Sequence, residues 1–345
     1  MKILIVGSES IHVSSYIKRL LELETELYLL AETKCYENLV KEVVVIPFRT
    51  MDPVSIYRSY QKLSQMIAKL KPDVVHIHQI NRMAYFVTRC CAAMNIPCVS
   101  TAWGSDVLLI PFQNRFYRYL SKKSLQRSAF VTADSQYMID KMQEVAKAPE
   151  GKYVLLQYGI DPIGHGAKEK IVYSNRMHKS LYRIDQVIAY FKEFLQENSD
   201  WKLVIAGSGP DTDQLMQMAK ETGHGDHIEF VGYTSTAENR AWYARSMIYI
   251  SIPSSDGTAV SLLEAMSAGC IPVVPDLEVS REWIKNGENG VVEKSSSNPL
   301  LEALTLDIEK LRERNIKMIE ERASRVKSMK KFRAFYAEAV KGSDA

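Results

Sequence analysis

Short runs rich in valine, isoleucine and leucine alternate with amphipathic stretches along the whole chain, and this alternation restricts the fold more than any single motif does. In the first half the apolar runs are KILIVG, ELYLLAE, KEVVVIPF, DVVHIHQ, PCVSTAW, AFVTADS and YVLLQY, with helical patterns such as SSYIKRLLELE and SIYRSYQKLSQMIAKLK between them. Apolar strands joined by helices predict parallel sheets covered on both faces. Residues 158–170, YGIDPIGHGAKEK, hold three glycines and a proline without an apolar period, which reads as a domain joint. The alternation then restarts with KIVYSNR, WKLVIAGSG, HIEFVGY, MIYISIPS and IPVVPD. The expectation is an α/β protein with two Rossmann-like, doubly wound parallel-sheet domains facing a central cleft. Their spans are 1–160 and 161–324, with a helix of about residues 325–345 packing back on the first domain. The stretch from Asn298 to Val340 reads as one closing helix.

Composition narrows the class. Of 345 residues, 46% are hydrophobic and 25% charged, which excludes disordered and fibrous chains. A net charge of +3 gives no field that would draw in nucleic acid. The five cysteines (35, 90, 91, 98 and 270) lack C-x-x-C spacing and read as reduced core thiols. The opening MKILIVGSES reads as a strand and not as a signal peptide. The longest charge-free run, Cys90 to Ser105, is broken by Asn95, Pro97 and Gly104. A cytoplasmic protein is expected, with the inner face of a membrane as a surface it can reach.

The glycines exclude common nucleotide cofactors. A dinucleotide fingerprint needs three spaced glycines after a strand. After KILIV there is Gly7 alone, followed by Ser8; after KLVIA come Gly207, Ser208 and Gly209, with Thr212 where a third glycine would sit. No G-x-x-x-x-G-K-[ST] occurs. Two strand–glycine–helix turns remain. Each either serves packing alone or offers its free N–H groups to a phosphate.

The segment with the most chemistry is PSSDGTAVSLLEAMSAGCIPVV, residues 253–274, which reads as strand end, polar loop, helix, stop glycine and new strand. Asp256 lies in the loop and Glu264 eight residues later, about 2.2 helical turns on. Gly257 lets a ligand approach the backbone, and Thr258, Ala259 and Val260 expose the N–H groups of a helix start, which favour an anion. Glu264 cannot bind phosphate but can accept from a ribose diol. The alternative is that Asp256 caps the helix and Glu264 is surface charge.

This segment resembles the E-x7-E signature of retaining glycosyltransferases of the GT-B fold, family 4, with Asp256 in place of the first Glu. The resemblance extends over nearly the whole chain, through MKILIVGSESIHVSSYIKRL, KPDVVHIH, STAWGSDVLL, YGIDP, VYSNR, VIAGSGPDTDQL, IEFVGY and REWIKNGENGVV, and within the family it looks like a subgroup of bacterial surface-polysaccharide enzymes. It implies that Glu264 holds the ribose of a sugar nucleotide and that Asp256 faces the transferred sugar. Ser255 and the N–H groups of Gly257, Thr258, Ala259 and Val260 would lie near sugar and diphosphate. Arg176 would grip the diphosphate, Gly207, Ser208 and Gly209 would border the donor, and Tyr233 and Thr234 would lie near the base. The family's lysine, five residues after the arginine, is Leu181 here, with Lys179 and Arg183 nearby. Gly7 and Ser8, and the loop Trp103-Gly104-Ser105, would form the acceptor side. Trp103 stands where many members carry histidine, so His12 and Asp106 become the candidates to touch donor sugar or acceptor. The implied activity is metal-independent transfer from a nucleotide diphosphate sugar, UDP-linked, onto a glycan or lipid-linked acceptor, with no cofactor. An epimerase or hydrolase of the same fold and a non-catalytic binding subunit are the alternatives.

His76 and His78 share a strand face and read as buried histidines with satisfied nitrogens, not a metal pair. Asp211-Thr212-Asp213 reads as a helix start, where acids serve as caps. Residues 112–127, FQNRFYRYLSKKSLQR, hold five basic residues and no acid, and SRVKSMKKFR, 324–333, five more. The first stretch fits either an anionic bilayer surface or a core-packed helix with a solvated basic face.

Overall fold

The computed structural model describes every residue except 23, 24, 49–51, 165, 295, 296, 344 and 345, with the backbone alone at 11, 12 and 343. The chain divides into two compact units, Met1–Gln157 with Ser328–Ala345, and Tyr158–Lys327.

The first unit is built on seven parallel strands: β1 (Lys2–Val6), β2 (Glu26–Ala31), β3 (Glu42–Val45), β4 (Val74–His78), β5 (Cys98–Thr101), β6 (Phe130–Ala133) and β7 (Tyr153–Leu155). Their order is β3-β2-β1-β4-β5-β6-β7. The central strands are largely buried because helices cover both faces, and β4 is buried at every position. One face packs on the helices Pro53–Leu70 and Arg82–Ala93 through Leu63, Ile67, Val87 and Cys91.

His76 and His78, on β4, are core residues. The His76 ring meets Tyr336 Oη through Nδ1 at 2.5 Å and Thr101 Oγ1 through Nε2 at 2.7 Å. Tyr336 Oη also meets Tyr16 Oη at 2.8 Å, and Thr101 Oγ1 meets Thr132 Oγ1 at 2.7 Å. This buried chain of hydroxyl groups and one imidazole ties the last helix, Arg325–Ser343, to the first unit's sheet. Burial, with a smaller contribution from His78, holds the His76 pKa well below the usual imidazole value.

The second unit has six parallel strands: β8 (Glu169–Ser174), β9 (Lys202–Ala206), β10 (Ile228–Gly232), β11 (Ser246–Ile250), β12 (Ile271–Val274) and β13 (Val291–Val292), in the order β10-β9-β8-β11-β12-β13. Val187, Phe191, Phe194, Trp201 and Leu203 fill one face, and Tyr173, Tyr243, Tyr249 and Ala265 the other. The stretch read as a single closing helix is three: Pro299–Ala303, Ile308–Arg322 and Arg325–Ser343. Asp307 caps the second by accepting from Lys310 N–H, and the extended pair Ile160–Ser324 interrupts the chain before the third.

Candidate functional site

Strand order in the second sheet reverses between β8 and β11, and open α/β sheets bind ligands beyond the carboxyl ends of the strands at such a point. Arg176 lies two residues past the end of β8, and Asp256 lies in the loop between β11 and the helix Val260–Ser267. Both loops therefore open at the reversal. Arg176 Nη2 donates to Asp256 Oδ2 at 2.6 Å and Nη1 to Ser261 Oγ at 3.2 Å, and the guanidinium lies 4.5 Å above the ring centre of Tyr182. The two charged side chains are 12% and 24% exposed. Burial opposes the charge on Arg176, but Asp256, Tyr249 and Tyr182 outweigh it and push its pKa up.

The adjoining helix starts without a side-chain cap. Its N-cap is Ala259, and the first intrahelical bonds run from Leu262 and Leu263 N–H to Ala259 O at 3.0 and 3.3 Å. Asp256 is not the cap: its Oδ1 accepts from Gly257 N–H at 3.0 Å, and its other oxygen takes Arg176. Gly257 and Thr258 are buried, with Thr258 Oγ1 accepting from Trp283 Nε1 at 3.2 Å. Ser255, Ala259 and Val260 are half-buried. The far end of the helix is fixed by Lys168, whose Nζ donates to Ala268 O at 2.8 Å and Tyr243 O at 2.9 Å. Lysine at a helix C-terminus also complements the dipole.

Glu264 sits half-buried on this helix, one turn after Ser261 and on the same side. Burial raises the phenol pKa values of Tyr173, Tyr243 and Tyr249, and the charge of Glu264 adds to that effect. Asn175, next to Arg176, ties these tyrosines together. Its Nδ2 donates to Tyr243 Oη at 2.7 Å and Asn239 Oδ1 at 2.9 Å, and its Oδ1 accepts from Tyr249 Oη at 3.0 Å. Tyr173 Oη completes the set by donating to Asn239 Oδ1 at 2.5 Å. The backbone that presents Arg176 is thus anchored by a part-buried polar network, which resists deformation because each member is paired.

The turn after β9 has a structural reason for its glycines. A methyl group on Gly209 would lie 2.8 Å from the carbonyl carbon of His178, and one on Gly207, at φ +108°, would lie 2.7 Å from the carbonyl oxygen of Arg176. The loops 176–179 and 207–212 clasp each other: His178 N–H donates to Ser208 O at 3.2 Å, Asp211 N–H donates to His178 O at 3.1 Å, and His178 Nδ1 meets Thr212 Oγ1 at 2.8 Å. Ser208 is exposed at the tip. Asp211 stands at the N-cap of the helix Thr212–Glu221 but makes no side-chain cap bond.

Of the two candidates for the missing lysine, Arg183 is committed elsewhere. It holds Glu293 through both Nη atoms at 2.8 and 2.9 Å, and Tyr190 Oη donates to the same carboxylate at 2.7 Å. Lys179 is exposed just before the turn Ser180–Tyr182. Tyr233 is exposed and Thr234 half-buried after β10, two strands from β8. Sequence reasoning did not single out His178, Tyr182, Ser261 or Asn175. The spacing of Ser261 and Glu264 was a usable signal; the others depend on tertiary packing.

In the first unit the order reverses between β1 and β4. Gly7 is buried there, its α-carbon facing Val13 and His78, and Ser8 is half-buried. His12 belongs to the helix Ile11–Leu21, and its side chain lies outside the described residues. Asp106, expected to touch donor sugar or acceptor, requires a correction. Its side chain is buried, with Oδ2 accepting from Ile80 N–H at 2.7 Å and Oδ1 from Trp103 N–H at 2.9 Å. The carboxylate shapes the loop Trp103-Gly104-Ser105, in which Gly104 adopts φ +121°. Burial raises its pKa and those backbone donors pull the other way. Trp103 packs edge-on against His78, with ring centres 5.5 Å apart, and Ser105 is exposed.

The basic aromatic stretch forms the helices Ile110–Gln113 and Arg115–Arg127. Leu120 packs inward, whereas Phe112, Phe116, Tyr117 and Tyr119 are exposed, Phe116 by 54%. Arg118 and Lys141 lie over the Phe112 ring. Among the described residues, no group of three or more His, Cys, Asp or Glu could hold a metal ion, and no helix is long and apolar enough to cross a membrane.

Two family models match: glycosyl transferases group 1 over residues 162–325, and glycosyl transferase 4-like over residues 2–135. Among curated proteins, the chain is 22% identical over 233 residues to a GDP-mannose:cellobiosyl-diphosphopolyprenol alpha-mannosyltransferase of Komagataeibacter xylinus, covering 64% of this chain and 58% of that one. It is also 22% identical over 247 residues to N-acetyl-alpha-D-glucosaminyl L-malate synthase of Bacillus anthracis, covering 66% of this chain and 63% of that one. The matches thus span about three fifths of these relatives' length. Among solved structures, HepE of Anabaena, in complex with UDP and glucose, aligns with a TM-score of 0.80 at 12% identity over 98% of this chain and 100% of its own.

Proposed function

Because this chain belongs to the group 1 glycosyltransferases and carries two Rossmann-like domains of the GT-B fold, we propose that its second unit binds a nucleoside diphosphate sugar, UDP-linked, and that the enzyme transfers the sugar with retention onto a glycan or lipid-linked acceptor. Assembly of a surface polysaccharide is the setting this reading favours, in keeping with the polyprenol-linked acceptor in the name of the Komagataeibacter relative. The observation that carries it is the buried guanidinium of Arg176 beside an uncapped helix N-terminus at the strand reversal. A diphosphate placed there accepts charge-assisted hydrogen bonds from Arg176, each contributing about 1.5–3 kcal/mol, together with the amides of the helix start.

Glu264 accepts from the ribose hydroxyls, and Lys179 is the exposed cation that adds to Arg176. As the glycosidic bond to the diphosphate breaks, negative charge grows on the leaving oxygen, where Arg176 and the amides stabilise it. In the front-face route implied by the family resemblance, that leaving phosphate takes the acceptor's proton. The positive charge comes from the chain itself, so this reading assigns no role to a metal or cofactor.

The test is a thermal-shift panel of UDP, GDP and their sugar conjugates, followed by assay of the stabilising donor for free nucleotide and lengthened acceptor together. A ligand at 100 times its Kd stabilises by about 2.7 kcal/mol. Arg176→Ala and Glu264→Ala are each expected to lower kcat/KM tenfold or more, a loss of about 1.4 kcal/mol. Normal activity in both would remove the site assignment, nucleotide release without a longer acceptor would indicate a hydrolase, and binding without turnover a non-catalytic subunit.

The exposed aromatic and basic residues of Ile110–Gln113 and Arg115–Arg127 support a second element of the reading: peripheral contact with an anionic membrane at the cytoplasmic face. Flotation with phosphatidylglycerol vesicles at low salt tests it, and absence of co-migration would refute it.

A further inference from the structure

We infer that Asp256 is a resident competitor for the diphosphate site: it occupies Arg176 when the site is empty, yields it to the donor, and reclaims it to expel the nucleoside diphosphate product. The inference rests on the donor-site reading above and adds a role for the acid at this position. Three observations carry it.

First, Asp256 Oδ2 takes Arg176 Nη2 at 2.6 Å, so part of the fork that a diphosphate would use is filled by an intramolecular anion. Secondly, Asp256 is lightly held. Its other oxygen meets the N–H of its own neighbour Gly257 at 3.0 Å, and it does not cap the helix that follows. Arg176, by contrast, keeps two supports that do not depend on Asp256, Ser261 Oγ at 3.2 Å and the Tyr182 ring. The cation is therefore fixed and the anion replaceable. Thirdly, the Asp256 side chain is twice as exposed as that of Arg176.

A diphosphate brings more negative charge than one carboxylate, together with bonds to the helix amides, so it displaces Asp256 from the shared guanidinium. The displaced acid then stands as a like charge beside the bound nucleotide, and this repulsion weakens binding. After sugar transfer the same repulsion favours departure of the product.

The experiment measures Kd for UDP and for GDP by calorimetric titration on the intact wild type, Asp256→Asn and Asp256→Ser. Both variants are expected to bind the nucleotide that the wild type binds at least tenfold more tightly, about 1.4 kcal/mol, with slower dissociation. Their unliganded melting temperatures are expected to fall, since the buried guanidinium loses its counter-ion. A merely structural lesion would lower stability and affinity together, so tighter binding by a less stable protein separates the two. Two variants are used so that a folding failure in one leaves the other to decide. Equal or weaker nucleotide affinity in the folded variants overturns the inference. Wild type that binds neither nucleotide overturns the donor-site reading beneath it.

Discussion

The clasp between the loops 176–179 and 207–212 makes Gly209→Ala a severe change at a half-exposed position. The residue needs no unusual backbone angle, so the penalty is steric. The added methyl would lie 2.8 Å from the His178 carbonyl carbon and 3.0 Å from its amide nitrogen, and ordinary contact begins at 3.4 Å. These are backbone atoms that no rotamer change can move aside. Opening the clasp weakens the bonds from His178 N–H to Ser208 O and from Asp211 N–H to His178 O. At about 0.5–1.5 kcal/mol for each of the two bonds, with overpacking of about 1–3 kcal/mol, the expected destabilisation is about 2–6 kcal/mol. In a unit of this size each kcal/mol moves Tm by about 2–4 °C, so the second unit should melt about 4–24 °C earlier. Arg176 lies two residues before His178, and a shift of about 1 Å at a reacting group lowers turnover about 100-fold. Scanning calorimetry and steady-state turnover measure both effects. Gly225→Ala is the control, because its added methyl meets nothing closer than 3.9 Å. Unchanged melting and turnover in Gly209→Ala would refute the argument that the turn is set by backbone approach.

Two further outcomes are expected. Tyr336→Phe removes the hydroxyl that both His76 Nδ1 and Tyr16 Oη meet, and should destabilise the first unit by about 1–3 kcal/mol in denaturant titration, with little effect on nucleotide affinity. Acid should destabilise both units: burial lowers the pKa of His76 in the first and of His178 in the second below 6.5. Below pH 6.5 the unfolded chain therefore binds protons that the folded chain does not, and stability declines as pH falls, by at most about 1.4 kcal/mol per pH unit for each group. Stability that stays flat between pH 6.5 and 5 would contradict the buried neutral state of these rings.

Much of the fold was legible because it is carried by local periodicity. The apolar runs of β1, β4, β8 and β11 are buried on both faces, and their pattern shows it without knowledge of partners. The position of Arg176 was legible for the same reason, since it closely follows a strand that could be recognised. Asp106 was not. Its partners are amides of Ile80, 26 residues away, and of Trp103, and nothing local separates a loop-shaping carboxylate from one that faces a ligand. Arg183 is a similar case, with Glu293 at a separation of 110 residues. The glycines at 207 and 209 were found by sequence, but the demand for them comes from His178 and Arg176, which only the folded chain brings close. The division of the final stretch into three helices depends on the cap at Asp307 and the bridge at Ser324, features weaker in sequence than the helical pattern around them.

The tie between Tyr336 and the β4 histidine has a consequence for biogenesis. A ribosome releases β1 to β7 early, yet the side chains that seal Tyr16 and His76 are encoded after the entire second unit. The unit translated first is therefore the one completed last, and until then a nascent chain leaves that part of its interior unsealed, a state prone to aggregation.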